Sequence, residues 1–85
     1  MNTLDDLPAL PEITLGHYRH YKGGDYEVIG LARHSETLEP MVVYRPLYNA
    51  TGMWVRPHRM FTEIVEIDGN SRPRFLRIPP PPESA

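Results

Sequence analysis

Ten prolines and six glycines cut this 85-residue chain into short segments, and that punctuation excludes most helical folds. Proline removes a backbone donor and breaks helix interiors, while glycine admits the positive φ that tight turns require. Between these breakers, no window carries apolar residues at helical spacing over three turns. What remains is short, aromatic and β-branched, the residue types that suit a pleated, half-buried surface.

The segments follow one another closely. Residues 17–21 predict a first strand, ended by a turn over Lys22-Gly23-Gly24-Asp25. Residues 26–33 predict a second, apolar on both faces around Val28, Ile29 and Leu31, with Gly30 inviting a bend or bulge. A polar connection over 34–40 leads to a third strand at 41–48 and a fourth at 53–56, which Pro57 interrupts. Arg59-Met60-Phe61 suits a single 3-10 turn. A fifth strand is expected at 62–67, a turn at Asp68-Gly69 and a last short strand at 74–78. Five to six short strands with Gly and Pro at the joints predict an all-β barrel or sandwich. Closing the sheet would also deal with exposed edges in so small a domain.

The two ends read differently. Residues 1–15 hold prolines at 8 and 11, show no sustained periodicity and are acidic through Asp5, Asp6 and Glu12. They predict a flexible or loosely packed arm that adds little to the core. Residues 79–85 begin with four prolines in a row, which favours a stiff polyproline II tail. The domain is therefore expected over 16–78. That span holds nine Lys and Arg against seven acids and all four histidines, while the whole chain is −2. So small a surplus does not demonstrate nucleic-acid binding, and it leaves room for a local basic patch.

The absence of cysteine excludes disulfides and thiolate chemistry, and fits a cytoplasmic protein. No apolar run approaches the ~20 residues of a membrane span, so no membrane partner is expected. Nor does a charged start followed by an apolar stretch suggest a signal peptide. No cofactor is expected of a core this shallow. Asn49-Ala50-Thr51 matches a glycosylation pattern and, with no secretion signal, is read as chance.

Several blocks in order resemble the signature of a family of small bacterial proteins catalogued as a domain of unknown function. They are Tyr18-Arg19-His20-Tyr21-Lys22-Gly23-Gly24, Tyr26-Glu27-Val28, Ala32-Arg33-His34-Ser35-Glu36-Thr37, Val42-Val43-Tyr44-Arg45, Trp54-Val55-Arg56-Pro57, Met60-Phe61-Thr62-Glu63 and Pro73-Arg74-Phe75. His58 departs from the pattern, where an apolar residue is expected. The resemblance implies an SH3-like barrel over roughly 16–78. It brings no activity, substrate or catalytic residue with it.

The chemistry-bearing residues divide into two sets. His17 and His20 alternate to opposite strand faces, which argues against a shared metal site, and no bound metal is expected. His20 and His34 can meet across strands near Glu36 or Glu39, the basis for reading the chain as a small enzyme or ligand-processing domain. The competing reading makes these histidines polar side chains bonded to backbone. His34-Ser35 lacks a strained nucleophile elbow, and Lys22-Gly23-Gly24 lacks phosphate-loop spacing.

The second set combines aromatics with cations. Strand alternation places Tyr18, His20 and Lys22 on one face and Trp54 with Arg56 on another. Barrel closure would bring Arg45 and Tyr48 toward them, although Arg45 alternates with Tyr44. Such sets serve peptide and single-stranded nucleic-acid grooves. The leading expectation is therefore a non-enzymatic binding module for a peptide or nucleic acid, using Tyr18, His20, Lys22, His34, Arg45, Tyr48, Trp54 and Arg56. Against it stands the need of so small a core for its own tyrosines and tryptophan. A third reading is an accessory assembly domain with no ligand of its own.

Overall fold

The computed structural model describes residues 7–80 and is all-β apart from one helical turn. The elements run β1 (Gly16–His20), β2 (Asp25–Arg33), β3 (Pro40–Pro46), β4 (Trp54–Pro57), α1 (His58–Phe61), β5 (Ile64–Ile67), β6 (Asn70–Pro73) and β7 (Phe75–Arg77). Five strands form one antiparallel sheet in the order β4-β3-β2-β1-β7, and β5 pairs with β6 in a second. The ladders thus give two sheets, with β4 and β7 as edges of the larger, rather than one ladder closed into a ring.

Local chemistry explains the joints. Gly23 and Gly24 take φ of 99° and 89°, and the turn closes through the Gly23 N–H on the His20 carbonyl at 2.8 Å. In β2 the register slips between Val28 and Gly30, leaving Ile29 as the extra residue of a β-bulge. Asp68 and Gly69, at φ of 52° and 82°, form a two-residue hairpin loop directly between β5 and β6, as an Asp-Gly pair favours. The chain therefore starts a strand at Asn70, for which the sequence predicts no element, and β7 follows separately from Phe75. The helical turn is α rather than 3-10 and begins one residue earlier, at His58.

The core is mostly aromatic. Tyr18, Val28, Val42, Tyr44, Phe61 and Phe75 are buried together, with Ile13, Tyr26 and Leu31 packed against them. Alternation in β3 turns Val42, Tyr44 and Pro46 inward and Arg45 outward. The helical turn delivers Phe61, whose ring stacks on Phe75 at 4.1 Å and meets Tyr18 edge-on at 5.4 Å.

Residues 7–15 form no strand or helix, yet they are tied down. Arg33 donates to the Pro8 carbonyl, the buried Tyr18 hydroxyl donates to the Thr14 carbonyl at 2.7 Å, and Ile13 packs on the core. Deleting residues 1–12 spares the last two contacts and should lower the melting temperature by only a few degrees. Deleting through Thr14 removes both the Tyr18 hydrogen bond and the Ile13 packing, and should lower the melting temperature further. Thermal melts of the two truncated chains check this, and equal melting temperatures would contradict it.

Candidate binding groove

The groove begins in the loop between β3 and β4. Asn49 Oδ1 accepts both the backbone N–H of Thr51 (3.3 Å) and its hydroxyl (2.9 Å), an Asx-type turn. The Thr51 hydroxyl oxygen then accepts the Trp54 indole N–H at 3.1 Å. The triplet that matches a glycosylation pattern thus folds as a bracket for the tryptophan. Trp54 nevertheless keeps 52% of its surface exposed. Tyr48 is held in a similar way. Its hydroxyl lies 2.8 Å from that of Tyr26 and its ring meets Tyr26 edge-on at 5.6 Å, yet it remains 60% exposed. Gly24 leaves room for this ring, because a Cβ there would stand 3.1 Å from Tyr48 Cε1.

Beneath these two side chains the aromatic core surfaces as a floor. Tyr26, Tyr44 and Phe75 pack edge-to-face at 5.5–5.7 Å. The Arg56 guanidinium lies 5.5 Å from the Phe75 centroid, with Nε directed at the Tyr44 hydroxyl (3.4 Å). His20 meets Phe75 edge-on at 4.8 Å. Together with Pro46, Asn49 and Thr51, these residues enclose a concavity of about 410 Å³. Among the described residues no carboxylate lines it.

The electrostatics favour an anion or an acceptor-rich group. Burial first, then the positive charges of Arg56, Arg74 and Lys22, push the His20 pKa below its usual value, so the ring is neutral at pH 7. Its Nδ1 accepts the Lys22 backbone N–H at 3.1 Å, which assigns the ring proton to Nε2 as a donor. The bond to Tyr48, then burial, push Tyr26 up to about 12, so this hydroxyl stays protonated. The site can stack on a flat group and donate hydrogen bonds. It holds no evident nucleophile with a base beside it.

Four of the eight residues expected from sequence come together here: His20, Tyr48, Trp54 and Arg56. Tyr18 is corrected to the core, because its strand face is the inward one and only 8% of its surface is exposed. Arg45 points outward and pairs with Glu27 at 2.6 Å. Lys22 stands on the glycine turn with its ammonium 5.7 Å from the Tyr21 ring, beside the groove rather than in its lining. His34 is placed elsewhere, since its Nδ1 accepts the N–H groups of Glu36 (3.1 Å) and Thr37 (3.2 Å) and so organises a turn. His20 bonds to Gly24, and the ten residues from there to His34 span roughly 30 Å of strand. His20 and His34 are therefore not brought together, and Glu39 is engaged by Arg59 at 3.0 Å. Tyr26, Tyr44 and Phe75, part of or packed on the core, double as the groove floor, while Asn49 and Thr51 are not among the residues expected from sequence.

Outside the groove, Asp25 bonds Arg19 (2.8 Å) and His17 (2.9 Å). Arg19 first, then His17, hold its carboxyl down to about 2 from 3.8. A carboxylate depressed by folding stabilises the fold above its unfolded pKa and loses that contribution as pH falls through the folded value. Asp25→Asn should therefore lower the urea midpoint at pH 7 and flatten its pH dependence between 4 and 2. An unchanged pH profile would contradict this.

Residues 16–77 match a family described as a protein of unknown function, DUF1653. The chain belongs to that family. A crystal structure of a DUF1653 protein from Bordetella bronchiseptica is similar, with 41% sequence identity and a TM-score of 0.74 over 88% of this chain and 100% of that one. No curated protein matches. The resemblance carried by the separate sequence blocks is thus a family relationship, and the matched span contains every groove-lining residue of this DUF1653 domain.

Proposed function

We propose that this DUF1653 domain is a non-enzymatic recognition module that holds a segment of peptide or nucleic acid in its aromatic-cationic groove. The observation that carries the reading is the state of Trp54 and Tyr48. Both stay more than half exposed while hydrogen bonds fix their polar ends over an aromatic floor. Large amphipathic rings held rigidly at the rim of a concavity contribute contact area with little further ordering cost, the property of binding anchors. Arg56, spread over Phe75, adds a charged donor at the same place.

Selection from a random oligonucleotide pool and a displayed peptide library tests this. One class should be enriched on the wild-type chain and lost with Trp54→Ala. If neither is enriched above that variant, or if the free protein is an oligomer whose interface covers Trp54, the reading fails.

A further inference from the structure

A second concavity, about 400 Å³, is bordered by His20 together with Tyr21, Arg19, Arg72 and Leu76 among others. His20 lines both concavities, so they meet at one side chain. Among the described residues no carboxylate borders either one. Arg19 is engaged by Asp25 and Arg74 by Glu63, whereas Lys22, Arg56 and Arg72 form no ion pair among the described residues.

Resting on the recognition reading above, we propose that the two concavities form one continuous track for single-stranded nucleic acid. Bases stack on Trp54 and Tyr48, and Arg56, Lys22 and Arg72 take the phosphates.

The balance of donors and acceptors favours this ligand over a peptide. A peptide backbone presents as many N–H groups as carbonyls and needs acceptors to meet them. Several of the groove's acceptors are already engaged: Asn49 Oδ1 takes two donors from Thr51, the Thr51 hydroxyl takes the Trp54 indole N–H, one of the Tyr26 and Tyr48 hydroxyls accepts from the other, and His20 Nδ1 takes the Lys22 N–H. What it offers are donors, the Arg56 guanidinium and His20 Nε2–H. Phosphates need only donors, and bases need flat faces, which single strands expose and duplexes conceal. From β4 to β1 the track crosses three strand spacings, roughly 14 Å, so several nucleotides contact it at once.

The test is fluorescence anisotropy of labelled oligouridylate and oligothymidylate decamers titrated with the full chain, the two arms separating RNA from DNA. About three phosphate contacts, at the single-strand slope, predict roughly twentyfold weaker binding at ~200 mM than at ~50 mM salt. Arg56→Gln or Arg72→Gln should cut that loss to about sevenfold by removing one contact. Trp54→Ala should weaken binding about 5- to 150-fold at both salts and leave the salt slope unchanged. Circular dichroism melts confirm that each variant is folded. Absence of binding to both decamers at ~50 mM salt overturns the proposal, as does binding indifferent to Trp54 and Arg56. Capture of an acidic decapeptide in their place, lost with Trp54→Ala, overturns the nucleic-acid assignment and leaves the recognition reading standing. Failure of decamers and peptide alike counts against both.

Discussion

Trp54→Ala should weaken ligand capture by about 2 kcal/mol, roughly thirtyfold, while the fold stays within about 1 kcal/mol of wild type. The separation follows from where the indole stands. It lies outside the buried cluster of Tyr18, Val28, Val42, Tyr44, Phe61 and Phe75, and its hydrogen bond to Thr51 is an exposed one. Truncation therefore opens no cavity, the mechanism behind large losses of stability. An aromatic anchor on a recognition face behaves differently, because its removal strips the contact that excludes water. Affinity and urea unfolding measured on the same variant decide the matter. A stability loss of 3–5 kcal/mol would make Trp54 a core residue, and unchanged affinity would remove it from the site.

Phe61→Ala should do the reverse and strongly destabilise the domain. Phe61 keeps only 1% of its surface exposed and contacts Phe75, Tyr18 and Tyr44 at centroid distances of 4.1, 5.4 and 5.5 Å. Deleting a buried phenyl ring costs about 3–5 kcal/mol. Small domains hold a total stability of about 5–15 kcal/mol, so this one side chain supplies a large share. The expected fall in melting temperature is roughly 12–40 °C at about 4–8 °C per kcal/mol. Phe61→Leu, which retains most of the volume, should lose far less and keep Phe75 under the groove. A folded Phe61→Ala variant with a near-normal melting temperature would mean that α1 does not plug the core.

The parts of this fold legible in the sequence are those where one residue type answers one local need. Gly23-Gly24 and Asp68-Gly69 mark turns that require positive φ, and Gly30 marks the bulge. β6 was not legible, because Asn70-Ser71-Arg72-Pro73 is almost entirely exposed and carries no apolar alternation. Its pairing is set by the two-residue hairpin loop instead. In the groove, alternation correctly aligned His20 with Tyr18 and Trp54 with Arg56, but it cannot say which face turns inward. Tyr18 went to the core and His20, at the open end of the same strand, went to the rim. Arg45 was aimed away by the parity that buries Tyr44. The Asn49–Thr51–Trp54 bracket was visible only as an Asn-x-Thr triplet, a pattern shared by turns and glycosylation sites. His34 reads like a catalytic histidine in a polar segment until the turn around it is folded.

Trp54 is the only tryptophan in the chain, so its emission reports on the groove and nothing else. The most direct measurement is to titrate the folded protein with an oligouridylate decamer and, separately, with an acidic decapeptide while following that emission. Occupation of the groove predicts a saturable quench or blue shift with one of the two, weakened in Arg56→Gln. Emission that stays unchanged through both titrations, while the protein remains folded, would contradict the account.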